Sequence, residues 1–266
     1  EEGVGAGVNL LVAVGVGVEG DRVPFAPKLG NLMASAYGLS VYDTMKDVRT
    51  VIPCAARFLD EFQPDMVWPV SVFPLDPCEY LGAGYIRMPG PTHGLPLDAS
   101  FQMMDGTYME DDEFDEFLLD PTHFLITKVM PRKYKALGGL AGFYGREIYD
   151  MAVLFGLAGL TQPETRASLE ALLRAGELSA KYLDGMRQMN EFIVGRGFPI
   201  RGSAVLAPFD AYADSLRGLV QALMDVKLYP DEVLAVTERI ERMNTDRAIA
   251  AAKQKNPPGV WATMPI

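Results

Sequence analysis

The spacing of apolar positions changes along this chain, and the changes mark its elements. From Asp43, Met45, Val48, Ile52, Ala55, Phe58 and Leu59 recur every three or four residues. That period predicts a helix, which Pro64-Asp65 would close. Met66 to Phe73 is a continuous apolar run and predicts a buried strand. Asp21 to Pro27 reads as a shorter strand before them, with Pro24 and Pro27 limiting its ladder. Strand, helix, strand implies a right-handed parallel crossover.

Residues 74–196 form a long excursion. It opens on a Pro/Gly-rich loop over residues 74–100 and continues as helices. Asp120-Pro121 and Gln162-Pro163 place proline at first helical positions. Leu169, Leu172 and Leu173 form one apolar stripe, and Tyr182, Met186, Met189 and Ile193 another. Gly195 and Gly197 supply the stop. Phe198 to Leu206 predicts a third strand. Helices follow over 211–227 and 230–254, the second burying Val233, Val236, Ile240 and Met243. Gly259 to Ile266 predicts a fourth strand. Four parallel strands need both faces covered, so a chain ending on a buried strand reads as truncated. Its unpaired edge would invite a second copy, as a homodimer.

Composition narrows the class. The chain has 266 residues, 49% of them hydrophobic, enough for a sizeable core. Its net charge of −11 disfavours nucleic acid and anionic membrane surfaces as partners. Val4 to Val18 is apolar but too short to span a bilayer, and Glu1 and Glu2 occupy the place of a basic signal-peptide region. Residues 1–20 are read as a lead-in to one domain over 21–266. Two cysteines and no targeting signal suggest a cytoplasmic protein.

The most specific pattern lies between residues 74 and 134. It runs Cys78-Glu79-Tyr80-Leu81-Gly82, then Arg87-Met88-Pro89-Gly90-Pro91-Thr92-His93-Gly94-Leu95-Pro96, Phe101-Gln102 and Gly106-Thr107-Tyr108-Met109. Asp112 to Leu118, Asp120-Pro121 and Pro131-Arg132 complete it. In order and spacing this resembles the uroporphyrinogen decarboxylase superfamily, in the branch that includes corrinoid-linked methyltransferases. Asp21-Arg22-Val23-Pro24, Gly202-Ser203-Ala204 and Ala207-Pro208-Phe209-Asp210 extend the resemblance over residues 20–266.

The resemblance implies an α/β fold of the (β/α)8 TIM-barrel type, here incomplete. The chain would supply about the first four strands, with the long helical insertion between strands 2 and 3. It implies methyl transfer between a corrinoid (cobalamin) carrier, free or protein-bound, and a small substrate. Zinc is expected only with a C-terminal half carrying a His-x-Cys pair, which this sequence lacks. The alternative is porphyrinogen decarboxylation, a carboxy-lyase reaction. That substrate wants several arginine forks, but residues 27–33 offer the single cation Lys28. A further alternative is an inactive half-barrel.

Candidate catalytic residues are Asp76 after the second strand, His93 in a loop suited to act as a lid, and Asp210 after the third. Candidate substrate-binding residues are Lys28, Asn31, Glu79, Arg87 and Ser203. Each has a plainer reading. Asp76 before Pro77 and Asp210 before Ala211 suit helix capping. His93 suits a loop histidine bonded to backbone. The acidic run Glu110 to Glu116 suits a solvated helix start. Cys54 and Cys78 suit buried structural thiols, with no metal site in this chain.

Overall fold

A computed structural model of the chain describes residues 22–28, 30–68, 73–143, 148–200 and 206–253. The first helices are α1 (Leu32–Ala36), α2 (Val41–Lys46), α3 (Ile52–Phe62) and α4 (Leu75–Leu81). Strands β1 (Ile86–Arg87) and β2 (Gln102–Met103) follow. Then come α5 (Phe114–Leu119), α6 (Pro121–Phe124), α7 (Met130–Lys133), α8 (Asp150–Gly156) and α9 (Pro163–Gly195). The last helices are α10 (Pro208–Tyr212), α11 (Leu219–Leu228) and α12 (Pro230–Lys253). Short 3-10 turns occupy Val48–Val51, Lys135–Gly142 and Leu157–Thr161. Wide π turns occupy Leu125–Val129 and Ala213–Arg217.

The expected α/β barrel is not what these residues build. Among the described residues the named strands are β1 and β2, which pair antiparallel in one two-stranded sheet. The fold is mostly helical. Residues 22–28 run without regular structure beside residues 65–68, tied by Asp65 N–H to Phe25 O at 2.9 Å and Phe25 N–H to the Asp65 carboxylate at 2.8 Å. Pro24 and Pro27 have no N–H with which to extend that pairing. The second and third expected strands meet at one isolated parallel bridge, Val67 with Ile200. Pro199 beside it donates nothing. Residues 69–72, 201–205 and the expected fourth strand, 259–266, lie outside the described residues, as do residues 1–21.

The helix expected from Asp43 is two helices. Ser40 caps α2, accepting from Asp43 N–H at 3.0 Å. The chain turns extended at Asp47, whose carboxylate caps the next turn through Arg49 N–H at 3.0 Å. Pro53 then sits at the start of α3. The helix expected over 211–227 also divides. Gly218, at φ +79°, separates the π turn from α11. Asp120 and Pro121 open α6, with Asp120 accepting from His123 N–H at 3.0 Å.

Helix α9 is the spine. Its 33 residues extend about 50 Å. Ala171 and Ala175 pack with Leu81, Leu137 and Leu140. Farther along, Met189 and Ile193 pack with α1, α3 and Val67. The 135–142 turn approaches α9 so closely that a Cβ at Gly139 would lie 2.0 Å from the Glu164 carbonyl oxygen. Thr165 and Ser168 are buried there because their hydroxyls bond the facing backbone: Thr165 to Gly139 O at 3.1 Å and Ser168 to Ala136 O at 3.0 Å. A separate core joins Met109, α5, α6, α10 and α12 through Phe114, Phe117, Phe124, Tyr212, Val236 and Ile240. No helix among the described residues is long and apolar enough to cross a membrane.

Candidate functional site

Helix α4 carries Asp76, Cys78 and Glu79. The helix starts at Leu75 with Pro74 as its N-cap, so Asp76 lies inside the first turn and does not cap it. Asp76 instead lines a shallow, open groove between α2, the 48–51 turn, α4 and α9, with about 10 Å³ of room, enough for one water. Lys46, Arg49 and Lys181 bring three cations to this groove, against the carboxylates of Asp47 and Asp76. Arg49 is committed to Asp47 by bonds of 2.8 Å from Nε and 2.5 Å from Nη2. That contact holds the Asp47 carboxyl below its ordinary range. Lys46 Nζ lies 5.7 Å from the centre of the Tyr42 ring, and Lys181 adds its charge to the field on Asp47. On the same helix Glu79 Oε1 is buried and accepts no hydrogen bond.

Arg87 and His93 come together in the loop between β1 and β2. His93 Nδ1 accepts from Met88 N–H at 3.3 Å, and Arg87 Nη2 donates to the His93 carbonyl at 3.0 Å. Gly90 closes the turn at φ +110°, where a Cβ would run into the Tyr42 ring. This is the backbone-bonded histidine that the loop composition allows, and its contacts make the loop compact.

The other sequence candidates lie elsewhere. Lys28 sits 5.3 Å from the centre of the Trp68 ring. Asn31, at the start of α1, has a buried Oδ1 with no partner. Asp210 is exposed in the first turn of α10, whose N-cap is Ala207, so it too is not a cap. Ser203 lies outside the described residues. The acidic run is not merely a solvated helix start. Glu113 is buried, bonded by Arg132 at 2.6 and 2.7 Å and by Lys128 at 3.2 Å. Arg132 holds its carboxyl at about 2.

One cluster gave no signal in sequence. Tyr85 and Tyr134 stand edge to face, ring centres 5.5 Å apart, and the Tyr134 hydroxyl donates to the Tyr85 hydroxyl at 3.3 Å. Phe73 packs on Tyr85 and Phe101. Burial pushes the Cys78 thiol up to about 11, opposed by a bond to Tyr85. Lys133 Nζ lies 5.1 Å from the Tyr85 ring centre and 4.7 Å from that of Tyr108. Burial lowers this amine to about 8, with Asp214 opposing. Tyr108, Tyr85 and Cys78 lie 25, 48 and 55 positions before Lys133, and no spacing rule links them to it.

No family model, curated protein or solved structure matches this chain. The functional reading therefore stands on its own residues. Among the described residues no group of three or more His, Cys, Asp or Glu is placed to hold a metal ion. Cys54 and Cys78 are both free and buried, and they pack in separate clusters. Among the described residues the side chains do not assemble a zinc centre.

Proposed function

We propose that this chain belongs to an enzyme resembling the corrinoid-linked methyltransferases of the uroporphyrinogen decarboxylase superfamily. It moves a methyl group between a corrinoid carrier and a small methylated compound or thiol. The proposal concerns chemistry and not the barrel, which the described residues do not form. One observation carries it. The two ends of the motif-bearing stretch are knitted by backbone bonds, Gly84 N–H to Lys133 O at 2.8 Å and Lys135 N–H to Gly82 O at 3.1 Å. Ala83 and Tyr134 form an antiparallel bridge between them. The motifs thus share one folded unit, with the Asp76 groove on its flank. There Lys46 and Lys181 orient an acceptor's anionic group, and Asp76 holds the proton that a thiol gives up on attack.

A carboxy-lyase acting on a carboxylated substrate is the second reading. It is favoured by the cations around Asp76.

Anoxic incubation of the chain with methylcobalamin and a thiol tests the first reading by the visible spectrum. The expected result is demethylation well above the protein-free rate, with Asp76→Asn slower. No acceleration would overturn methyl transfer. Product porphyrins from uroporphyrinogen would then support the second reading, and their absence would remove both.

A further inference from the structure

We infer that the Lys133 side chain is a covalent attachment site for a flat aldehyde, seated against the ring faces of Tyr85 and Tyr108. The inference is independent of methyl transfer. Three features support it. First, the amine has a fixed position. The Lys133 carbonyl is tied to Gly84, and the Tyr85 ring is wedged between Phe73 and Tyr134. Second, among the described residues no carboxylate forms an ion pair with Lys133. Its neighbour Arg132 takes Glu113, and Lys128 takes Glu113 and Glu116. The groups facing Lys133 are Tyr85 and Tyr108, then Tyr134 and Cys78 behind Tyr85, with exposed Asp214 the acid that acts on it. Third, Lys133 is half-buried, so a small ligand can reach it.

An amine lacking a counter-ion and partly dehydrated gives up its proton readily. The lowered value of about 8 leaves half of it neutral at that pH. An ordinary lysine is then below about one part in a hundred neutral. The neutral nitrogen attacks a carbonyl carbon. A C–N bond forms, the C=O π bond breaks, and the oxygen takes a proton to give a carbinolamine. The nitrogen's second proton and the hydroxyl leave as water as C=N forms. No oxidant or reductant is needed. Two tyrosine faces favour an aromatic or conjugated aldehyde over an aliphatic one.

The test treats the folded chain with benzaldehyde and cyanoborohydride between pH 6 and 9, and maps adducts by peptide mass spectrometry. Labelling of Lys133 is expected to exceed that of Lys128 by on the order of tenfold at pH 8. It should disappear in Lys133→Arg, which retains the charge. Tyr108→Leu keeps the amine and should reduce the preference for benzaldehyde over propanal. Equal labelling of the two lysines would overturn the proposal. So would labelling of Lys133 only after unfolding in urea, since the amine would then be sealed.

Discussion

Arg217 and Lys133 lose contact with water to different degrees, one fully buried and one half-buried, and they are treated oppositely. Arg217 is fully buried, and its fork is bonded to Asp225 at 2.7 and 2.9 Å, to Asp111 at 2.5 Å and to the Met109 carbonyl. Asp225 also accepts from the Tyr212 hydroxyl at 2.6 Å and from Gln221 Nε2 at 3.0 Å. Burial alone would lower the guanidinium, but these partners hold it above its ordinary value. Lys133 has ring faces where Arg217 has carboxylates, and burial lowers it. A buried charge costs several kcal/mol unless its partners offset that cost. Arg217 is thus a fixed strut between residues 109–111 and α11. Lys133 is a group that can change its proton count near neutral pH, which is what chemistry requires.

The largest break in this contrast comes from Asp225→Ala. It leaves Arg217 charged and half-satisfied in the core. Urea denaturation should show a loss of about 3 to 5 kcal/mol. The double variant Arg217→Met, Asp225→Leu should recover much of that loss, because it removes both charges together. If the single variant costs under 1 kcal/mol, the strut is not structural.

Next comes the buried Glu113 carboxylate and its pairing with Arg132. The Glu113 carboxyl is depressed from 4.5 to about 2, chiefly by Arg132. Its folded form binds fewer protons than the unfolded form between those values. Its contribution is therefore complete above about pH 4.5 and lost as pH falls towards 2. Glu113→Gln should cost about 2 kcal/mol at pH 7 and little at pH 2. Thermal melts of both proteins across that range measure it.

Lys133→Met should have a smaller effect of opposite sign. The Lys133 amine falls from 10.5 to about 8 on folding, so below pH 8 the folded chain bears the cost of a charge it cannot solvate. The variant should match or exceed the parent by up to about 1 kcal/mol at pH 7. The parent should catch up as pH rises from about 8 to 10.5. The difference between the two melts isolates this effect from the tyrosines, whose raised values act on both chains alike. Smallest of all, Glu191→Gln on α9 breaks an exposed i,i+4 pair with Arg187 and should leave the thermal melt essentially where it is.

Local signals in the sequence located helix starts and stops well where a cap or proline defined them, as at Asp120-Pro121 and Gln162-Pro163. They overstated the share of strand: among the described residues the named strands are β1 and β2 alone. Met66 to Phe73 and Phe198 to Leu206 have strand composition, yet among the described residues they share only the Val67–Ile200 bridge. Composition reports that a segment will be buried, and ladder pairing depends on neighbours that no local window contains. The site divides in the same way. Asp76 and Glu79 drew notice in the sequence because they follow an apolar run, and the structure places both on one short helix. Arg217 and Lys133 were not, because their environments come from residues far away in sequence: Asp111, 106 positions before Arg217, and Tyr85, 48 before Lys133. The tripeptide Arg132-Lys133-Tyr134 gives no hint that adjacent cations meet a carboxylate and an aromatic slot respectively.

The contrast between the two cations reduces to one number that can be observed directly. In a chain labelled with carbon-13 at lysine Cε, the Lys133 resonance, assigned by its loss in Lys133→Arg, should titrate with a midpoint near 8. The Lys128 signal, from an amine that Glu113 holds above its ordinary value, should stay protonated through that range. A midpoint at or above 10 for Lys133 would contradict the account, showing that the tyrosine faces hold an ordinary ammonium ion and that the slot has no chemical use.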